Sequence, residues 1–213
     1  MGKEDMFENR THAGKLLAEK LRHLSGKDAV VYALPRGGVV VGAEVARKLR
    51  VPLDIVVVRK IGHPNNPEYA IGAVAEGDVL IKNIEEWSRL DADQLARIVQ
   101  NERKEVKRRR EIYTGKKRIS PRGKTAIIVD DGLATGFTMR VAVASVRNEK
   151  PLQIIAAVPV APADTARELE REVDKVVALI ADEMYLGAVG AYYQDFEQVS
   201  NKEVISIIKS ARN

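Results

Sequence analysis

The sequence predicts an α/β protein with an open, twisted, mostly parallel sheet flanked by helices. Three observations point there. Short β-rich runs recur along the chain, helical patterns alternate with them, and successive parallel strands require such helical connections. With 213 residues the chain can bury one substantial core, so one compact domain (1–213) carrying an elaboration is expected.

In order, "AVVYAL" (29–34) reads as the first buried strand, followed by "PRGG" and a helix over about 39–49. A second strand, "LDIVVVR", is predicted over 53–59, and the turn formers of "GHPNNPE" then lead into "YAIGAVAEGDVLI", where Glu76-Gly77-Asp78 reads as a hairpin turn. Residues 83–120 form a helical insertion. Within it Asp91 and Gln94 resemble a capping box, and Leu95, Ile98, Val99 and Val106 recur at helical spacing, predicting one long helix over 91–115. "TAIIV" (125–129) is the next parallel strand, with a helix over about 138–148 after its loop. "IIAAVPV" (154–160) and "KVVALIA" (175–181) bracket a helix over 163–172, and residues 182–213 make a C-terminal hood or tail.

Composition removes several chemistries. The absence of cysteine excludes disulfides, thiolate catalysis and cysteine-ligated zinc, and His12, His23 and His63 are too scattered for a transition-metal site. No apolar run approaches the roughly 18 residues of a membrane span, and the charged "MGKEDMFENR" start is unlike a secretory signal, so a cytoplasmic location is expected. The net charge of +5 suits an acidic partner, either nucleic acid or a small polyphosphate. The basic run "ERKEVKRRREIYTGKKR" is read first as a solvated helix face with pairs such as Glu105 and Arg109. Only Tyr113 is there to stack on a base, which weighs against nucleic acid.

The most informative stretch is "IIVDDGLATGFTM" (127–139). A strand running into a glycine-rich loop and then a helix makes an anion site: backbone N–H groups turn inward, the helix dipole helps, and threonine hydroxyls donate. The triphosphate P-loop would need a lysine after Gly136, where Phe137 stands, and no dinucleotide fingerprint occurs. Beside a phosphate, Asp130 and Asp131 make sense if sugar hydroxyls lie between. A ribose 5-phosphate would set its phosphate on the 135–138 amides and its 2- and 3-hydroxyls on the two acids, with a Mg²⁺ easing the remaining charge. If the 29–34 and 125–129 strands are neighbours where strand order reverses, both glycine loops meet in one crevice.

This stretch resembles the phosphoribosyl-pyrophosphate (PRPP) signature of type I phosphoribosyltransferases; the resemblance covers roughly residues 10–200, and the overall arrangement, including the "YYQDF" near the end, looks most like the stand-alone phosphoribosyltransferase-like proteins of prokaryotes. It implies a Rossmann-like sheet with a small hood and a Mg²⁺-dependent transfer of ribose 5-phosphate from PRPP to a nitrogen acceptor, with release of pyrophosphate. On this resemblance Ala134, Thr135, Gly136, Phe137 and Thr138 bind the 5-phosphate. "ALPRGG" is similar to the pyrophosphate loop, which brings Arg36, Gly37 and Gly38 to pyrophosphate and places a cis peptide at Pro35–Arg36. "VVVRK" adds Arg59 and Lys60 to that set; a solvent-facing basic pair is the plain alternative. The implied catalytic residues are Asp130, Asp131, Lys60 and Arg36, with Asp130 or Asp131 reaching the metal through water. "GHPNNPEYAIG" corresponds to the family's flexible lid, with His63 on it.

Members acting on 6-oxopurines carry an acid where this chain has Ala134, so the loop is nearer in type to adenine or orotate enzymes. Tyr192 and Tyr193 are the candidate base-stacking residues, with core or dimer packing as the alternative. A homodimer is implied. Fold alone does not separate an active transferase from a PRPP- or nucleotide-sensing regulator able to bind RNA or DNA.

Overall fold

The computed structural model describes residues 6–115 and 118–212 of the chain. Strands β1 (Ala29–Ala33), β2 (Leu53–Ile55), β6 (Thr125–Val129), β7 (Gln153–Pro162) and β8 (Lys175–Asp182) form a parallel sheet in the order β2-β1-β6-β7-β8. β1 and β6 are buried at every position, because both faces of the sheet are covered. Val31, Ala33, Ile127 and Val129 pack on one side, beneath helices α1 (Arg10–Lys20), α2 (Gly37–Leu49) and α7 (Asn201–Arg212). Val30, Tyr32, Ala126 and Ile128 pack on the other, beneath α5 (Phe137–Arg147) and α6 (Ala163–Leu169).

A second sheet stands beside the first. β3 (Val58–His63), β4 (Asn66–Ala75) and β5 (Leu80–Lys82) are antiparallel neighbours, followed by α3 (Ile84–Ser88) and α4 (Ala92–Thr114). The single strand predicted over 53–59 is therefore two strands in different sheets. Ile55 pairs with Ala33 in the large sheet, whereas Val58 pairs with Ala75 in the small one. The apolar stretch Ile55-Val56-Val57-Val58 contains no turn former to mark the switch, and Glu76 Oε1 takes the Val57 N–H at 3.0 Å where the chain changes sheets.

"GHPNNPE", read as a loop rich in turn formers, is the tip of the β3–β4 hairpin, since β4 already starts at Asn66. A Cβ on Gly62 would overlap the Pro67 carbonyl oxygen, so the two strands approach at a distance open only to glycine. The turn at Glu76-Gly77-Asp78 is as predicted, with Gly77 and Asp78 both left-handed (φ 74° and 58°). Asp91 caps α4 by accepting the Gln94 N–H at 2.7 Å, and the buried stripe Leu95, Val99, Val106, Arg110 and Tyr113 lays this helix against β3, β4 and α7. No described helix is long and apolar enough to cross a membrane.

Candidate active site

β1 and β6 are in register from Ala29 opposite Thr125 to Ala33 opposite Val129, so the segments after them leave the sheet side by side. The Leu34 N–H donates to the Val129 carbonyl at 2.9 Å and keeps them together. Strand order reverses here: the chain steps from β1 outward to β2, then lays β6, β7 and β8 on the opposite side.

Each segment opens into a helix whose N-cap residue makes no side-chain cap, although Thr135 Oγ1 accepts the Phe137 N–H at a long 3.4 Å. α2 starts at Gly37 behind Arg36, and α5 starts at Phe137 behind Gly136. The first N–H groups of a helix have no intrahelical acceptor and sit at the positive end of its dipole, so this end of the sheet presents two anion-receptive termini. Gly136 is required twice over: its φ is +68°, and a Cβ there would meet Thr165 Cγ2 at 2.7 Å. Ala134 and Thr135 are exposed, Thr138 is half-buried, and the half-buried Phe137 packs toward Ala73, Ala75 and Val79 of the β4–β5 hairpin. The Pro35–Arg36 peptide is cis.

Between the two helix starts lie the acids, and they are not equivalent. Asp130 is partly exposed and accepts the Asp131 N–H at 2.9 Å; among the described residues no cation lies within ion-pair distance of it. Burial, and then the neighbouring Asp131 charge, push its carboxyl well above the ordinary range, with Arg10 offsetting only part of this. Asp131 is instead tied down: Arg10 Nε donates to its Oδ2 at 2.7 Å, and the Tyr193 hydroxyl donates to its carbonyl at 2.6 Å. Arg10 was invisible to sequence reasoning, because nothing in the order of residues relates position 10 to position 131.

Gly37 and Gly38 have a role that the pyrophosphate-loop comparison did not anticipate. A Cβ on Gly37 would overlap Asp131 Oδ2 and stand 2.7 Å from Arg10 Nε; one on Gly38 would meet Asp130 Cα and the Val129 carbonyl oxygen, each at 2.9 Å. The two glycines are the clearance that lets α2 begin against the acid pair. Arg36 is half-buried in front of them.

The remaining candidates separate. Arg59 does not stand free beside the loops: its Nε donates to Glu102 of α4 at 2.7 Å. Lys60, next along the strand and so on its other face, is exposed. His63 accepts the Asn65 N–H at the hairpin tip and lies beside Tyr69. The assignment of Tyr192 and Tyr193 to base stacking is corrected by their burial. Tyr192 is fully buried, stacked on Tyr185, and donates its hydroxyl to Asp182 at 2.5 Å; Tyr193 lies between Phe7 and Phe196. Both rings already have protein on them, which is the core packing held open as the alternative. The basic run on α4 is largely ion-paired: Arg108 and Arg109 hold Glu105, Arg103 approaches Asp78, and Arg110 is buried against Asp54. Lys116 and Lys117 of that run lie outside the described residues.

An open parallel sheet, two uncapped helix starts at its switch point and an acid pair between them define an α/β domain of the phosphoribosyltransferase type. The chain belongs to that family: the model for the phosphoribosyl transferase domain matches residues 5–195. It is 40% identical over 97% of its length to two Mycobacterium tuberculosis proteins (strains H37Rv and CDC 1551) that carry the provisional name phosphoribosyl transferase, and it spans about half (47%) of the length of each. The crystal structure of TT1426 from Thermus thermophilus is 41% identical, with a TM-score of 0.82 over 96% of this chain and 98% of that one. The purine phosphoribosyltransferase of Pyrococcus horikoshii is far more distant, at 17% identity and a TM-score of 0.47 over 90% of this chain and 92% of that one; nothing about its substrate carries over.

Proposed function

We propose that the protein is a Mg²⁺-dependent phosphoribosyltransferase that moves ribose 5-phosphate from PRPP to a nitrogen acceptor of the nucleobase class, acting as a homodimer. The observation supporting this is the convergence of two anion-receptive helix starts on one acid pair at the switch point of the sheet. The 5-phosphate binds the start of α5, pyrophosphate binds the start of α2 with Arg36 and Lys60, and the ribose hydroxyls face the acid pair. The C1–O bond to pyrophosphate breaks with its electron pair leaving on oxygen, the acceptor nitrogen bonds C1, and the acceptor's proton passes to the released pyrophosphate or to solvent.

The residues fit a divalent ion held mainly by substrate oxygens. No group of three or more acidic or histidine side chains able to bind a metal occurs among the described residues, yet Asp130 is a carboxylate without a counter-ion. Bound there through water, Mg²⁺ would neutralise charge on the departing pyrophosphate. The chain supplies the rest: positioned N–H donors, the basic Arg36 and Lys60 at the pyrophosphate end, and a hydroxyl-accepting acid.

With Tyr192 and Tyr193 in the core, the acceptor side falls to the loop after β8. Met184 is 85% exposed there, and the buried Tyr185 hydroxyl has no partner among the described residues. The test is pyrophosphate release with PRPP, MgCl₂ and a panel of adenine, hypoxanthine, guanine, xanthine, uracil and orotate. Turnover with one of them is expected. PRPP binding without turnover on any acceptor would favour a sensor instead, and no PRPP binding at all would end the reading.

A further inference from the structure

We propose that Arg10 is a positioning residue that divides the work of the acid pair: it commits Asp131 to an internal junction and leaves Asp130 as the carboxylate that meets the sugar hydroxyls. The substrate in this statement rests on the phosphoribosyl reading above; the junction rests on geometry alone.

Arg10 makes three contacts. Its Nε donates to Asp131 Oδ2 at 2.7 Å, its Nη1 donates to the Glu197 carbonyl at 2.7 Å, and its guanidinium carbon lies 3.7 Å from the centre of the Phe196 ring. The side chains of the pair are only 11% and 17% exposed. Around it the segment before α1 and the segment before α7 are zipped together: Phe7 N–H donates to the Tyr192 carbonyl, Gln194 N–H to the Phe7 carbonyl, and Asp195 N–H to the Glu8 carbonyl. Tyr193 closes the arrangement by bonding the Asp131 backbone and packing on Phe7 and Phe196.

The consequence for Asp131 is steric as well as electrostatic. With Oδ2 taken by Arg10 and the pair resting against Gly37, the carboxylate cannot turn to follow a ligand without breaking a charge-assisted bond. Asp130 has no such anchor. The two acids, adjacent in sequence and equal in the sugar-phosphate reading, are therefore unequal in the fold. Arginine is required for this, since a planar fork can hold a carboxylate and a carbonyl while stacking on a ring, whereas lysine offers one point charge.

The test combines urea unfolding with calorimetric titration of PRPP in MgCl₂, using Arg10→Gln, Arg10→Lys, Asp131→Asn, the Arg10→Gln/Asp131→Asn double variant, Asp130→Asn and Tyr193→Phe. Arg10→Gln and Asp131→Asn are expected to be non-additive in stability, the double variant being no worse than the weaker single one. Arg10→Gln should weaken PRPP about tenfold or more, because it leaves an uncompensated Asp131 carboxylate beside an anionic ligand, with Arg10→Lys recovering only part of the loss. Tyr193→Phe loosens the same junction through the Asp131 backbone and should lower the unfolding midpoint while PRPP affinity stays near wild type. Asp130→Asn should do the reverse. Additive losses from Arg10→Gln and Asp131→Asn, or wild-type PRPP affinity in Arg10→Gln, would overturn the proposal. If the wild-type protein itself ignores PRPP, the functional reading falls, and the unfolding cycle still decides whether Arg10 anchors Asp131.

Discussion

Two acid clusters in this molecule differ in how their charge is matched. Asp54 and Glu76 lie under the junction of the two sheets with Arg110 and Arg118 as counter-ions. Arg110 bonds Asp54 Oδ2 at 2.8 Å and lies 3.8 Å from Glu76, while Arg118 bonds Glu76 and Glu149. Backbone N–H groups of Ile55, Val57 and Ile119 fill the remaining lone pairs. Burial raises the Glu76 carboxyl and both guanidiniums pull it back. At Asp130 and Asp131 a single cation, Arg10, serves two acids and touches only one of them. The lesson is one of compensation. Where acids hold the fold together each has its partners inside the protein; Asp130 is left short of internal partners, which on the proposed function is where sugar hydroxyls and a cation would bind.

The largest effect that would break this contrast is Arg110→Met. Leaving Asp54 and Glu76 buried with one counter-ion fewer should cost about 3–5 kcal/mol in urea unfolding. A loss below about 1 kcal/mol would mean the cluster is not the fastening it looks like.

Gly38→Ala should come next, at about 1–3 kcal/mol, because its Cβ meets backbone atoms of Val129 and Asp130 that cannot swing aside. It should also weaken PRPP binding by displacing Asp130. Wild-type binding in that variant would show that the acid is not where the ribose sits.

A smaller and opposite effect on stability is expected from Asp130→Asn. The folded-state pKa of Asp130 lies above that of the unfolded chain, so below about pH 4 both states hold the proton and the residue has no influence. As pH rises from there through its folded value, the unfolded state ionises first and the native state loses stability. Denaturation midpoints followed from pH 3 to 8 should therefore show Asp130→Asn gaining on wild type as pH increases. A gap that narrows instead would place a hidden cation beside Asp130.

Glu105→Gln is the smallest. Arg108 and Arg109 hold this acid at about 2, yet the pair lies on an exposed helix face where water and salt screen it. No measurable change in midpoint is expected at neutral pH. Any difference from wild type should be largest at neutral pH and vanish as pH falls from the ordinary glutamate range toward 2, where wild type forfeits the same pairs.

Most of the fold was legible because its signals are local. The capping acid and apolar stripe of α4, the left-handed turn at Gly77 and Asp78, and the strands flanking the signature all come from interactions within a few residues. The errors fell where distant parts decide. The run 53–59 looks like one strand because apolar composition does not say which sheet receives each half. Tyr192 and Tyr193 looked available because a sequence does not show Phe7, Tyr185 and Phe196 already covering them.

By itself the sequence determined an anion-receptive turn followed by a helix, two adjacent acids before it, and a second glycine turn elsewhere in the chain. Those are properties of backbone freedom and of residue order. Only the tertiary structure decided that the two turns share one end of the sheet, that Gly37 and Gly38 serve as clearance for the acids, and that Arg10 takes one acid and leaves the other. Which charges meet depends on contacts across more than a hundred residues of chain, and no local preference encodes those.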